Sequence, residues 1–153
     1  MKTIEMNRIA EVKMVYKTRV KPSDRPVIKS SADVFRTVMD TWDKDTLEYI
    51  EEFKLLLLNR ANKLLGVAKI SQGGISGTVT DVRVILQYAL KSCASGIILC
   101  HNHPSGNTQP SESDLKITMK VKEAAGLMDI QLLDHIILTP DGSCYSFADN
   151  GNL

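Results

Sequence analysis

Two histidines, His101 and His103, and one aspartate, Asp114, are the residues whose types and spacing point most directly to chemistry. In extended backbone, residues i and i+2 face the same side, so both imidazoles can address one point. Ten residues lie between His103 and Asp114. That is enough chain to fold back and bring the carboxylate to the same place. Two imidazoles and a carboxylate are three zinc ligands with a fourth position left for water, the stoichiometry of a catalytic zinc site. A structural site would be closed, usually by thiolates. Each residue also has a plainer reading. A histidine at a strand end is commonly a hydrogen-bonding surface residue, and Ser111 with Asp114 three positions later is a helix capping box that needs no metal.

The elements around these residues must do the positioning. Gly96–Cys100 (GIILC) is a short, wholly apolar run, the pattern of a central strand. His101–Pro110 reads as a polar loop, and Ser111 opens a helix that ends near Gly126. Upstream, residues 9–20 alternate in character and predict a half-buried strand. Ser30–Asp33 resembles a capping box and starts a helix through about Trp42, with Val34, Phe35, Val38 and Met39 as its apolar stripe. Phe53–Asn59 and Lys63–Ser71 read as a hairpin across the turn-like Asn59–Asn62. Gln72–Gly77, with three glycines, predicts a loop that could cover the cleft. Thr80–Asp81 opens a helix bearing Val82, Ile85, Leu86, Ala89 and Leu90, and Gly96 marks its end. Ile130–Thr139 and Cys144–Phe147 are the last strands. Mixed strands and helices without repeats predict an α/β fold, a single domain with a mixed β-sheet flanked by helices.

Bulk properties narrow the classes. The chain has 153 residues, is 43% hydrophobic and 24% charged, and carries a net charge of +1. These are ordinary values for a globular protein, without a global polyanion-binding signature. Residues 1–29 nonetheless hold eight basic residues against three acidic ones, a net of +5, against −4 for the remainder. This basic N-terminal arm is either a solvated edge strand protected by its lysines or a weak contact for DNA or an acidic partner. Cys93, Cys100 and Cys144 form an odd set without paired spacing, which suits a reducing cytoplasm. The N-terminus lacks the apolar stretch of a secretory signal. The apolar runs Leu55–Leu58 and Gly96–Cys100 are too short to cross a bilayer, so no membrane association is expected.

The stretch HNHPSGNTQPSESD, residues 101–114, resembles the His-x-His-Pro-Ser-Gly…Pro-Ser-x-x-Asp signature of the RadC-like family, a branch of the JAMM (MPN-plus) metalloproteins. The match is continuous over fourteen residues. Weaker likeness runs through Glu51–Gly66, residues 77–98 and Leu132–Leu138, covering about residues 30–148. The resemblance implies a three-layer JAB/MPN, cytidine-deaminase-like fold over residues 30–153. It also implies Zn2+ held by His101, His103 and Asp114. Ser111 is then expected to steady an oxyanion, and a glutamate from an earlier strand to act as general base. Glu51 matches that glutamate best, with Glu52 as its competitor. RadC-like proteins commonly carry a helix-hairpin-helix region ahead of this domain, which has no counterpart in these 153 residues.

The resemblance therefore implies a zinc-dependent metallopeptidase or isopeptidase acting on a peptide or isopeptide substrate, in a family associated with DNA repair. The competing expectation is a non-catalytic DNA- or protein-binding module. A third is a fold whose metal is chiefly structural. An apolar edge strand would also let two chains pair as a homodimer. His-Asn-His is no evidence for an HNH nuclease, whose residues are scattered over a longer motif, and the Pro-Cys-x-x-Cys element of a nucleic-acid deaminase is absent. His135, in an alternating strand, reads as a structural histidine. Cys100 should face away from His101.

Overall fold

A computed structural model describes residues 10, 12, 13, 15–73 and 79–153. Its sheet is built from β1 (Glu52–Leu58), β2 (Leu64–Gln72), β3 (Gly96–Asn102), β4 (Gln131–Leu138) and β5 (Cys144–Ser146). The order is β2-β1-β3-β4-β5. Only the β3–β4 pair is parallel, so the sheet is mixed. The helices are α1 (Ser31–Met39), α2 (Val82–Lys91) and α3 (Glu112–Gly126).

Helices cover both faces, giving three layers. Val82, Ile85 and Ala89 of α2 and Val121 and Ala125 of α3 pack on Phe53, Leu55, Leu57, Ile97 and Leu99. Val34 and Val38 of α1, with Trp42 and Leu47, pack on Leu56, Leu58, Ile98, Cys100, Ile136 and Leu138. β1 and β3 are buried along their whole length because both faces are covered, which is why they read as continuous apolar runs. Cys100 falls on the α1 face, opposite His101, as its position in the strand predicts.

One irregularity decides what β4 presents. Ile97 pairs with Leu132 but Ile98 pairs with Asp134, so Leu133 is an extra residue in the ladder. A one-residue slip exchanges the faces of everything beyond it. The bulge therefore puts His135 opposite Leu99, on the α2/α3 face. Gly96 makes room for it: a Cβ there would stand 2.8 Å from the Leu133 side chain.

Several boundaries differ from the sequence expectations. β3 does not stop at Cys100 but carries His101 and Asn102 as its last residues. The expected strand over 9–20 is absent among its described residues, which are irregular and exposed; Tyr16 touches the sheet by donating its hydroxyl to Leu65 O at 2.7 Å. The first helix ends at Met39, and Trp42 is buried from the turn that follows. α2 ends at Lys91, short of Gly96, whereas α3 ends at Gly126 as expected. The left-handed positions are Cys93 (φ 54°) and Asp129 (φ 55°), where Ala94 N–H and Ile130 N–H reach back to Ala89 O and Ala125 O. The loop expected at 72–77 lies mostly outside the described residues; Gln72 ends β2 and Gly73 N–H donates to Glu51 O. All three cysteines are free thiols, Cys100 buried and the others exposed.

Candidate metal centre

At the C-terminal end of β3, His101, His103 and Asp114 come together, with one ligand atom from each within 4.8 Å of the others. His101 Nε2 is 2.9 Å from His103 Nε2 and 3.2 Å from Asp114 Oδ1, and His103 Nε2 is 3.4 Å from Asp114 Oδ2. Two ligands on a tetrahedral zinc ion with bonds of 2.0–2.1 Å stand about 3.3 Å apart, so the spacing fits a metal with little adjustment.

Each ligand is held from behind. Phe53, the register partner of His101 on β1, stacks on its ring at 5.6 Å and 5°. His101 is fully buried. His103 N–H donates to Leu138 O, fixing the chain as it leaves the sheet. Gly106, at φ 81°, then turns the loop so that Asn107 O accepts from His103 Nδ1 at 2.7 Å. A carbonyl can only accept, so His103 bears its proton on Nδ1 and offers Nε2 as the free donor atom. Asp114 sits in the first turn of α3, capped by Ser111. Ser111 N–H and Oγ–H both donate to Asp114 Oδ2, and Asp114 N–H donates to Ser111 Oγ. The plain capping-box reading is thus realised in full, and the same box aims the carboxylate at the histidines.

Electrostatics follow from this packing. Burial works against the Asp114 charge, but in the metal-free protein hydrogen bonds from His101 and His103, made when those rings carry a proton on Nε2, and from Ser111 N–H outweigh it and hold the carboxyl far below the ordinary aspartate range. Burial pulls His103 down; its bonds to Asp114 and Asn107 prevail and raise it above the ordinary histidine value. Glu51 is half-buried directly before β1 and close enough to feel all three residues. Burial raises its carboxyl, charge on His101 and His103 opposes the rise, and the Asp114 charge adds to it.

Glu52, the competitor, faces the other way. It is buried on the α1 face beside Lys69 at 3.1 Å and Lys54 at 3.9 Å. Two further residues support the site: Asn102, absent from the sequence expectations, and His135, expected there as a structural histidine. Asn102, fully buried, accepts from Glu52 N–H and donates to Leu47 O and Ile50 O at 2.7–2.9 Å, clamping the segment that carries Glu51. His135 is no member of the ligand group, but its Nε2 lies 2.8 Å from His101 Nδ1 and its Nδ1 2.6 Å from Thr118 Oγ1. Burial drives His135 well below the ordinary histidine range, so the ring is neutral. No local signal marks either role, because both depend on which strand lies alongside β3.

Comparison with known proteins gives the family. The RadC-like JAB domain matches residues 28–152. The chain belongs to the RadC-like JAB family. This RadC-like domain is 48% identical over 101 residues to a UPF0758 protein of Flavobacterium johnsoniae, covering 66% of the chain and 44% of that protein. It is 48% identical over 103 residues to one of Porphyromonas gingivalis (67% and 45%). A UPF0758 protein of Syntrophomonas wolfei is 36% identical over 121 residues (78% and 52%). The chain therefore spans about half the length of the curated relatives it matches. Among the described residues no helix is long and apolar enough to cross a membrane.

Proposed function

We propose that this RadC-like domain is a zinc-dependent hydrolase of amide or isopeptide bonds, with His101, His103 and Asp114 as the metal ligands. The observation that carries the reading is the convergence of three acceptor atoms at the end of β3. His103 Nδ1–H is committed to Asn107 O, so in the neutral ring its Nε2 lone pair meets a carboxylate and a second imidazole. Imidazole and carboxylate suit zinc, and also iron or manganese; the open, thiolate-free set favours a catalytic role over a structural one.

When bound, zinc supplies a water acidic enough to act as nucleophile near neutral pH and polarises a carbonyl. Glu51 would take a proton from the attacking water and return it to the leaving amine. Its raised carboxyl suits that task better than an ordinary glutamate. Ser111 Oγ stands at the carboxylate ligand, at the N-terminus of α3, where a hydroxyl could steady developing negative charge. For Ser111 to do so its proton must leave Asp114 Oδ2, and a cation on that carboxylate would favour the exchange.

The test is hydrolysis of peptide and isopeptide substrates by the zinc-loaded protein and by Glu51→Gln. The variant should keep its zinc and lose activity by about 10²–10⁴-fold, the usual share of a general base. Full activity in the variant would remove Glu51 from the role, and a wild type inert towards every such bond would remove the hydrolase reading. An association with DNA repair rests only on the family resemblance and the basic residues at 1–29.

A further inference from the structure

Behind the cluster runs a chain of hydrogen bonds whose proton direction can be read at every link. Thr118 Oγ1 is 2.5 Å from Asp114 backbone O. A carbonyl only accepts, so the single hydroxyl proton lies on that bond. Thr118 Oγ1 can then only accept from His135 Nδ1, 2.6 Å away. A neutral His135 therefore carries its single ring proton on Nδ1, and its Nε2 is left with a lone pair. That Nε2 is 2.8 Å from His101 Nδ1, so His101 must donate there. In the neutral ring, the His101 lone pair is thereby on Nε2, the atom that faces His103 and Asp114.

We propose that Thr118 and His135 are positioning residues that lock His101 in its Nδ1–H tautomer and so hold its Nε2 lone pair toward the metal ion. The inference rests on the metal-site reading above and extends it to two residues outside the ligand set. The chain also closes on itself. It starts at the backbone of Asp114, on α3, and ends at His101, on β3, so two ligands from different elements are tied together behind the ion. Were the Thr118 hydroxyl missing, His135 could carry its proton on Nε2 instead. It would then donate to His101 Nδ1, force the His101 proton onto Nε2, and block ligation.

The surroundings leave the chain no alternative partners. Thr118 is 1% exposed, and His101 and His135 are fully buried, so water cannot replace a broken link. The rings are also fixed in plane: His135 stacks on Phe147 at 4.6 Å and 17°, as His101 does on Phe53. Partners of this kind commonly set the orientation and affinity of metal-binding histidines.

The decisive readout is the imidazole tautomer pattern in long-range 1H–15N NMR spectra of the metal-free wild type. His135 should be a neutral Nδ1–H tautomer, and the neutral form of His101 should also carry its proton on Nδ1; an Nε2–H tautomer at either ring or a charged ring at His135 overturns the proposal. Zinc affinity, measured by competition with a chromophoric chelator, should fall about 10–100-fold in the nearly isosteric Thr118→Val, and Thr118→Ser should restore most of it. A folded Thr118→Val with wild-type affinity and an unchanged His101 tautomer also overturns it. Failure of the wild type to bind zinc would contradict the metal reading instead, and the tautomer spectrum of the same sample would still decide the direction of the chain.

Discussion

Glu51 and Glu52 are neighbours in sequence yet stand on opposite faces of the sheet, and the two environments are built on opposite principles. On the α1 face, Glu52 has Lys69 and Lys54 beside it, and the Lys54 ammonium donates to Thr41 O and lies 4.2 Å over the Trp42 ring. The charged groups there are matched within the protein, although the buried Trp42 Nε1–H has no partner. On the α2/α3 face, beside Glu51, the imidazoles of His101 and His103 and the carboxylate of Asp114 turn their acceptors toward one another. A buried charge needs a partner, and here the partner must be a proton or a metal ion. The charges of the first face are paired as folded; the second gathers groups that still need a cation between them. That difference, more than the presence of polar residues, separates a structural cluster from a site.

The contrast can be broken most forcefully by exchanging each glutamate for glutamine. Glu51→Gln should lose hydrolysis by two or more orders of magnitude with zinc retained. Glu52→Gln should keep zinc and hydrolysis, and instead lose about 1–3 kcal/mol of stability by leaving Lys54 short of a buried partner. Chemical denaturation beside a kinetic assay separates the two; a pair of variants with the same profile would erase the distinction between the faces.

A smaller effect is expected at Asn102, which joins the two regions. Asn102→Ala leaves Glu52 N–H, Leu47 O and Ile50 O without that partner. The loss should be about 2–4 kcal/mol, read as a fall in Tm. Hydrolysis should suffer more than zinc affinity, because the clamp acts on the segment carrying Glu51 and not on the ligands. Zinc affinity falling in step with activity would show that Asn102 supports the ligands instead.

Acidity gives a gentler handle. In the metal-free protein the folded-state pKa of His103 is raised. Its contribution to stability is therefore fully present below the ordinary histidine value of about 6.5 and is lost as pH rises through the higher folded value. Zinc needs the neutral ring, so it competes with that proton. The rise in Tm on adding zinc should grow between about pH 6 and pH 8. A zinc-induced shift that shrinks over this range would contradict the assignment of His103 as a ligand.

The slightest expected effect concerns residues 1–29. If their +5 charge contacts DNA, affinity should be weak, fall steeply with salt, and drop on deletion of the segment. Salt-independent binding, or none, would remove that partner.

Much of this was legible in the residues themselves. The apolar run of β3, the His-x-His spacing and the Ser111–Asp114 cap locate the site, because each is set by local geometry. The choice between Glu51 and Glu52 was not legible, since β1 is apolar on both faces and its alternation carries no direction. His135 was hidden by the bulge at Leu133, which reverses the face of everything after it. Asn102 was hidden because β3 runs past Cys100, and its partners lie about fifty residues upstream. The alternation over 9–20 does not appear as a strand among its described residues, because alternation marks a face but does not supply the backbone pairing that makes a strand.

The central claim, that the α2/α3 face is arranged to hold one metal ion, is tested most directly by elemental analysis of the purified wild type and of His103→Ala. About one zinc per chain in the wild type and none in the variant is the predicted result. A wild type that stays metal-free after zinc is added back would contradict the claim, and equal zinc in both proteins would move the metal away from His103.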